Sequence, residues 1–162
     1  MTLPYPATVI VRHAHENPRK CSVLPLADRS DIVFLRHPVK EAIALDGYVR
    51  LAADGPELSR DDAAAGLLLL DGSWRWATVM TRGFVQVPPR SLHGYRTAYP
   101  RVSRQGTDPD NGLASVEALF LAYHILGRPT AGLLDHYRWA DEFLRLNQDL
   151  LDKFGPVKAP SA

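Results

Sequence analysis

The chain has a single cysteine, Cys21, among its 162 residues, so no internal disulfide can form. That fits a reducing compartment or a fold that needs no covalent staple. Long hydrophobic runs are also missing. The apolar run Gly66 to Leu70 falls far short of the roughly 20 residues that a membrane-crossing helix needs. The N-terminus lacks the basic-then-apolar pattern of a secretory signal, because Pro4, Pro6 and Arg12 interrupt it. Strong net charge is absent too. The formal value is +1, which names no partner, so any electrostatic signal must lie in how the charges are distributed. There are no repeats and no low-complexity segments. These absences lead to the expectation of a soluble, cytoplasmic protein, of a length that suits one domain or two small ones.

What is present falls into two halves of different character. Ala7 to Val11 is a short β-branched run and reads as a strand. Asp31 to Leu35 (DIVFL) and Glu41 to Leu45 (EAIAL) read as two more, with His37-Pro38 as a turn between them. Ser59 with Asp61 and Asp62 resembles a capped helix start. Gly66 to Leu70 is apolar throughout, as a central strand buried on both faces would be. Beyond it, Ala114 to Leu126 and Thr130 to Phe154 are apolar at helical period, with Gly127 and Gly155 where C-caps belong. The expected organisation is an α/β part over residues 1–88, a mostly helical part over 89–156 and a tail over 157–162. The boundary is expected within Val85 to Arg96, at Pro88-Pro89.

Charge is unevenly spread. Between Asp71 and Asp108 there is no Asp or Glu, while Arg75, Arg82, Arg90, Arg96, Arg101 and Arg104 all lie there. Trp74, Trp76, Phe84, Tyr95 and Tyr99 are interleaved with them. Arginine offers a planar fork to phosphate, and an aromatic ring offers a face to an unstacked base. Such a stretch is a candidate RNA surface. On charge alone, arginines scattered over a solvated face with core aromatics behind it are the alternative reading.

Three segments carry residues suited to chemistry. Gly66 to Trp74 (GLLLLDGSW) is a buried strand ending in Asp71, and ligands of α/β sheets bind beyond the carboxyl ends of the strands. Asp71 also reads as a cap or Asx-turn for the segment that follows. In Asn111 to Glu117 (NGLASVE), a turn leads into a helix start whose N–H groups can hold a carboxylate or ribose. Glu117 there also reads as simple compensation of the helix dipole. In His13 to Ser22 (HAHENPRKCS), His13, His15 and Cys21 invite a metal reading. The spacing matches no standard zinc pattern, and no fourth ligand is evident, so no metal is expected.

Together these segments resemble the aminocarboxypropyltransferases that modify a uridine or pseudouridine of small-subunit ribosomal RNA, relatives of the DTW-domain proteins. That family opens with a region similar to one in the RNase L inhibitor, Cys-Asp-Pro-Lys-Lys-Cys-Ser/Thr-Gly. His15-Glu16-Asn17-Pro18-Arg19-Lys20-Cys21-Ser22 resembles it, within an opening segment over residues 7–26. The family's Asp-Cys-Ser-Trp is matched by Asp71-Gly72-Ser73-Trp74, and its Leu-Ser-Cys-Val-Glu-Ala by Leu113-Ala114-Ser115-Val116-Glu117-Ala118. Its C-terminal aromatic-Trp-Gly and Phe-Leu-x-Leu-Asn pattern is matched by Tyr137 to Ala140 and Phe143 to Asn147. Departures are Leu45-Asp46-Gly47 in place of Leu-Ser-Pro, and Tyr99 to Gly112 in place of Asn-Pro-Val-Asn-Tyr-Gly.

The resemblance implies a SPOUT-like, mostly parallel sheet with a deep trefoil knot, followed by a helical C-terminal part. It implies S-adenosylmethionine as cofactor, ribosomal RNA as partner, and a monomer. The reaction implied is transfer of a 3-amino-3-carboxypropyl group to uridine or pseudouridine N3, with release of methylthioadenosine. Asp71 and Trp74 are the candidate catalytic residues. Leu45, Asp46, Leu70, Leu113, Ala114 and Ser115 join them as candidate cofactor contacts, and Arg75, Arg90, Arg96, Arg101 and Arg104 as RNA contacts. Three rivals stand beside this expectation: the same transfer to a tRNA uridine, a SPOUT-type methyltransferase, and a non-catalytic RNA-binding assembly factor.

Overall fold

The structure is a computed structural model that describes residues 3–15, 21–40, 43–72, 74–100 and 112–156, with no account of the Trp74 side chain. Five strands form one all-parallel sheet: β1 (Thr8–His13), β2 (Ile32–His37), β3 (Tyr48–Leu51), β4 (Gly66–Asp71) and β5 (Pro89–Arg90). Their order across the sheet is β2-β1-β4-β3-β5, so β4 lies at the centre. Among the described residues, four α-helices accompany them: α1 (Trp74–Thr81), α2 (Ser115–Leu126), α3 (Ala140–Leu146) and α4 (Gln148–Asp152). None of the described helices is long and apolar enough to cross a membrane.

Side chains alternate across a strand, and this divides the core. Ile10, Leu67 and Leu69 point to one face, where α2 and Phe143 cover them. Val9, Val11 and Leu68 point to the other, where Met80 of α1 covers them. A central parallel strand covered twice needs an unbroken apolar run, which explains Gly66 to Leu70. The edge strand β2 is covered less, and Val33 is 44% exposed. Every residue of α2 from Val116 to Leu126 is buried, as expected of a helix that is apolar all round. Gly127 closes it in the left-handed conformation at φ 74°.

Two expected elements differ. Within Glu41 to Leu45, residues 43–45 form no strand, and 41–42 lie outside the described residues. The strand is Tyr48–Leu51 instead, disguised in the sequence by Arg50. Its register is set by Gly47, whose carbonyl accepts from the Gly66 N–H at 3.0 Å. Nor is Thr130 to Phe154 one helix. Turns fill the stretch up to Trp139, and the helical part breaks at Asn147. The buried Asn147 amide accepts from the Arg96 N–H at 2.7 Å. It also donates to the Arg96 and Phe143 carbonyls at 2.9 and 2.8 Å. Its side chain thus competes for backbone groups that a continuous helix would use. The stretch expected to hold a boundary contains β5, which bonds to β3 through Arg50 N–H to Pro88 O at 2.8 Å.

Candidate active site

Asp71 is the last residue of β4, and its side chain is on the α2 side of the sheet. It is 5% exposed. One carboxylate oxygen accepts from the Ser115 hydroxyl at 2.5 Å. The other accepts from the Cys21 thiol at 3.1 Å and from Arg12 Nε at 3.4 Å. Arg12 pairs with Asp71 across neighbouring strands, so the sheet register itself sets this contact. Asp71 therefore links β1, β4, the segment after residue 20 and the start of α2. It is more than a local cap. The Cys21 thiol is pushed above its ordinary value, first by burial and then by the neighbouring Asp71 charge.

The start of α2 is held from outside the helix. Its Val116 N–H donates to the Ser22 hydroxyl at 3.1 Å. Glu117, fully buried, accepts from the Ala114 N–H at 2.8 Å, from the Thr97 hydroxyl at 2.6 Å and from the Ala98 N–H at 2.8 Å. Dipole compensation understates this residue. It ties the stretch at 97–98 to the helix start and so positions Ser115 beside Asp71.

Across the sheet, on the α1 side of the same edge, aromatic rings pile up. His13 stacks on Trp76 with centroids 4.2 Å apart and 13° between planes, and on His37 at 5.3 Å and 26°. His15 leans on both His13 and Trp76 at 5.2 and 5.7 Å. Gly72 passes close by. A Cβ there would meet Met80 and Trp76 atoms at 3.3 Å. Among the described residues, no three His, Cys, Asp or Glu side chains are placed to share a metal ion.

Of the candidate residues, the fold brings Asp71, Ala114 and Ser115 together, with the half-buried Leu113 adjacent, whereas Leu70 turns to the α1 face and packs against the cluster of Val9, Val11 and Leu68. Trp74 opens α1, but its side chain lies outside what is described. Leu45 and Asp46 are elsewhere. They form the turn into β3, whose first residue pairs with Gly66, the first of β4. Leu45 packs, as Leu70 does, against the α1-side cluster. Arg75 and Arg96 are exposed. Arg90 is occupied by Asp62, its Nε donating to both carboxylate oxygens at 3.3 and 3.2 Å. Arg101 and Arg104 lie outside the described residues. Sequence reasoning missed Arg12 and Ser22 as supports of the site and the ring partners His37 and Trp76. For Arg12 a signal existed in its place at the end of a strand parallel to Gly66–Leu70.

Two clefts of about 370 and 880 Å³ open beside β2, and Asp71 lines neither. The carboxylate is enclosed, so a ligand here would meet the strand ends and the α2 start rather than a deep hole at Asp71. The donor set suits S-adenosylmethionine. Leu113 and Ala114 offer apolar wall, Ser115 offers a hydroxyl, and the Asp71 carboxylate suits a neighbouring sulfonium charge.

No family model matches the chain. Curated relatives do. It is 26% identical over 156 residues to the 16S rRNA aminocarboxypropyltransferase of Methanocaldococcus jannaschii, covering 93% of this chain and 88% of that one. It is 29% identical over 156 residues to that of Methanopyrus kandleri, covering 90% and 88%. It is 25% identical over 165 residues to that of Methanosphaera stadtmanae, covering 93% and 89%. By sequence, the chain is similar to these rRNA aminocarboxypropyltransferases over at least nine-tenths of its length. The fold agrees with the solved SAM-dependent rRNA:acp-transferase Tsr3 from Vulcanisaeta distributa. The TM-score is 0.70 at 23% identity, over 92% of this chain and 82% of that one.

Proposed function

We propose that this protein transfers the 3-amino-3-carboxypropyl group of S-adenosylmethionine to N3 of a uridine or pseudouridine in ribosomal RNA. The observation that carries the reading is the likeness to three rRNA aminocarboxypropyltransferases over at least nine-tenths of the chain. The Asp71–Ser115 contact supports it, because it joins the two segments that resemble the family most closely. The same reading carries the deep knot, the division near residue 88, a monomer and a role in ribosome maturation in the cytoplasm.

S-adenosylmethionine supplies an electrophilic γ-carbon and a methylthioadenosine leaving group. The N3–C bond forms, the C–S bond breaks, and the N3 proton is lost. Three carbons on the sulfonium are open to attack, so the protein selects by placement. The γ-carbon must lie about 3–3.5 Å from N3 and in line. Leu113 and Ala114 wall the cofactor, Ser115 holds its polar end, and Trp74 closes off the methyl group. Both Asp71 oxygens already accept hydrogen bonds, so its part is to fix Ser115 and orient the base rather than to carry the proton away. The exposed Arg75 and Arg96, with Arg101 and Arg104, hold phosphates.

Nucleoside mass spectrometry of ribosomal RNA and tRNA, with and without the protein, tests this. Aminocarboxypropyl-uridine or its pseudouridine analogue in ribosomal RNA, with methylthioadenosine as co-product, is expected. S-adenosylhomocysteine as co-product replaces the reading with methyl transfer, and modification confined to tRNA moves the substrate. No binding of S-adenosylmethionine at millimolar concentration leaves a non-catalytic RNA-binding factor. Trp74→Ala weakens cofactor binding far more than Arg101→Ala, which weakens RNA binding and its salt dependence.

A further inference from the structure

The ring pile on the α1 side has no part in the chemistry above. His13 at its centre is 8% exposed, the flanking His37 and Trp76 are half-buried, and His15 is exposed. The rings come from β1, β2 and α1, so the fold gathers them at the carboxyl edge where α/β proteins hold ligands. Arg12 and Asp71 pair across the strands one position before His13, which sets the pile immediately beside the Asp71 turn. The two clefts flanking β2 meet this edge. Arg12, His13 and Arg36 line one, and Arg36, His37 and Lys40 line the other, over apolar floors that include Phe34 and Leu35. Among the described residues, neither lining contains an Asp or Glu.

We propose that the pile formed by His37, His13 and Trp76, with His15 against it, is a stacking platform for an unpaired RNA base next to the target nucleotide. The flanking clefts carry the strand's phosphates on Arg36 and Lys40. The proposal rests on the reading that RNA is the substrate. An apolar plug would pack the strand ends equally well. Imidazoles with polar edges add donors and acceptors where a base and its phosphates must be met. The cationic side chains Arg12, Arg36 and Lys40 at the clefts complement a polyanion. Flat rings beside apolar floors complement a base rather than a duplex backbone, because A-form duplex keeps its base faces covered. The basic surface thus extends to β1 and β2, beyond the arginines named above.

The test is fluorescence anisotropy with a labelled, uridine-containing single-stranded oligoribonucleotide, alongside calorimetry with S-adenosylmethionine. A base–aromatic stack corresponds to about five- to hundredfold in affinity. His15→Ala and His37→Ala should each weaken RNA binding within that range and leave its salt slope unchanged. His37→Tyr should restore it, which a merely structural role for the imidazole would not predict. Arg36→Ala combined with Lys40→Ala should flatten the salt slope by about two phosphate contacts. Cofactor affinity should be unchanged in all four. RNA affinity unaltered by both alanine changes overturns the proposal, as does RNA-independent loss of cofactor binding in His15→Ala. If the variants lose RNA affinity while no aminocarboxypropyl product forms on any RNA, the platform stands and the transferase reading falls. If transfer proceeds and the variants bind RNA as the parent does, the reverse holds.

Discussion

Asp71→Asn is the perturbation that examines the site most directly. The change keeps the side-chain shape and removes the charge. The amide oxygen can still accept from Ser115, but the amide NH2 then faces the Cys21 thiol and Arg12 Nε, both donors. A hydrogen bond to a charged group contributes about 1.5–3 kcal/mol, and breaking a buried ion pair costs about 3–5 kcal/mol. Two features lower the estimate. The thiol is a weak donor, and the Arg12 contact is long at 3.4 Å, with the Arg12 side chain 19% exposed. We expect a loss of about 2–4 kcal/mol in urea unfolding, with the slope against denaturant unchanged. Ser115→Ala should cost less, and the double variant should show a coupling energy of about 0.5–3 kcal/mol. Calorimetry should show weaker binding of S-adenosylmethionine in both single variants. Additive effects on stability, or an unshifted midpoint in Asp71→Asn, would refute the linked Asp71–Ser115 arrangement.

Three other outcomes follow from the geometry. Gly66→Ala would set a Cβ 2.5 Å from the Tyr48 ring, which crosses β4 so that its hydroxyl can donate to the Ala7 carbonyl at 2.5 Å. The ring must move, and thermal unfolding should show a loss of about 1–3 kcal/mol, most of it removed in a Tyr48→Ala background. Burial opposes ionisation of Asp31, but hydrogen bonds from Arg29 and Tyr123 outweigh it and hold its carboxyl below the ordinary value. Its contribution is present above the unfolded carboxyl value of about 3.9 and lost as pH falls through the lower folded value, so Asp31→Asn should flatten the acid limb of a pH–stability curve. Cys21, with its thiol raised, is protonated well past neutrality. Its contribution is full below the ordinary thiol value and lost as pH climbs towards the folded one, a decline that Cys21→Ser should remove. Native protein at pH 8 should react with iodoacetamide far more slowly than protein in urea, and equal rates would contradict the buried contact with Asp71.

Much of the sheet was legible because parallel strands write their burial into local pattern. The β-branched run of β1 and the unbroken apolar run of β4 are signals of this kind, as is the Gly127 cap of α2. The same logic fails for β3, where Arg50 interrupts the run, and for the last helices. There a single buried Asn147 takes backbone bonds that no helical periodicity records. Asp71 was recognisable as a strand-end residue, and Ser115 as a helix-start residue. Their contact was not, because the partners of Asp71 lie 44, 50 and 59 positions away in sequence. Only the pairing of β1 with β4 and the packing of α2 close those separations. Pairing of β3 with β4 places the turn of Leu45 and Asp46, and pairing of β1 with β2 brings His13 beside His37 at the carboxyl edge. Sequence by itself determined which segments are strands or helices wherever burial repeats at a local period. Tertiary structure decided which side chains share a site, because strand register and helix packing act between residues that no local pattern connects.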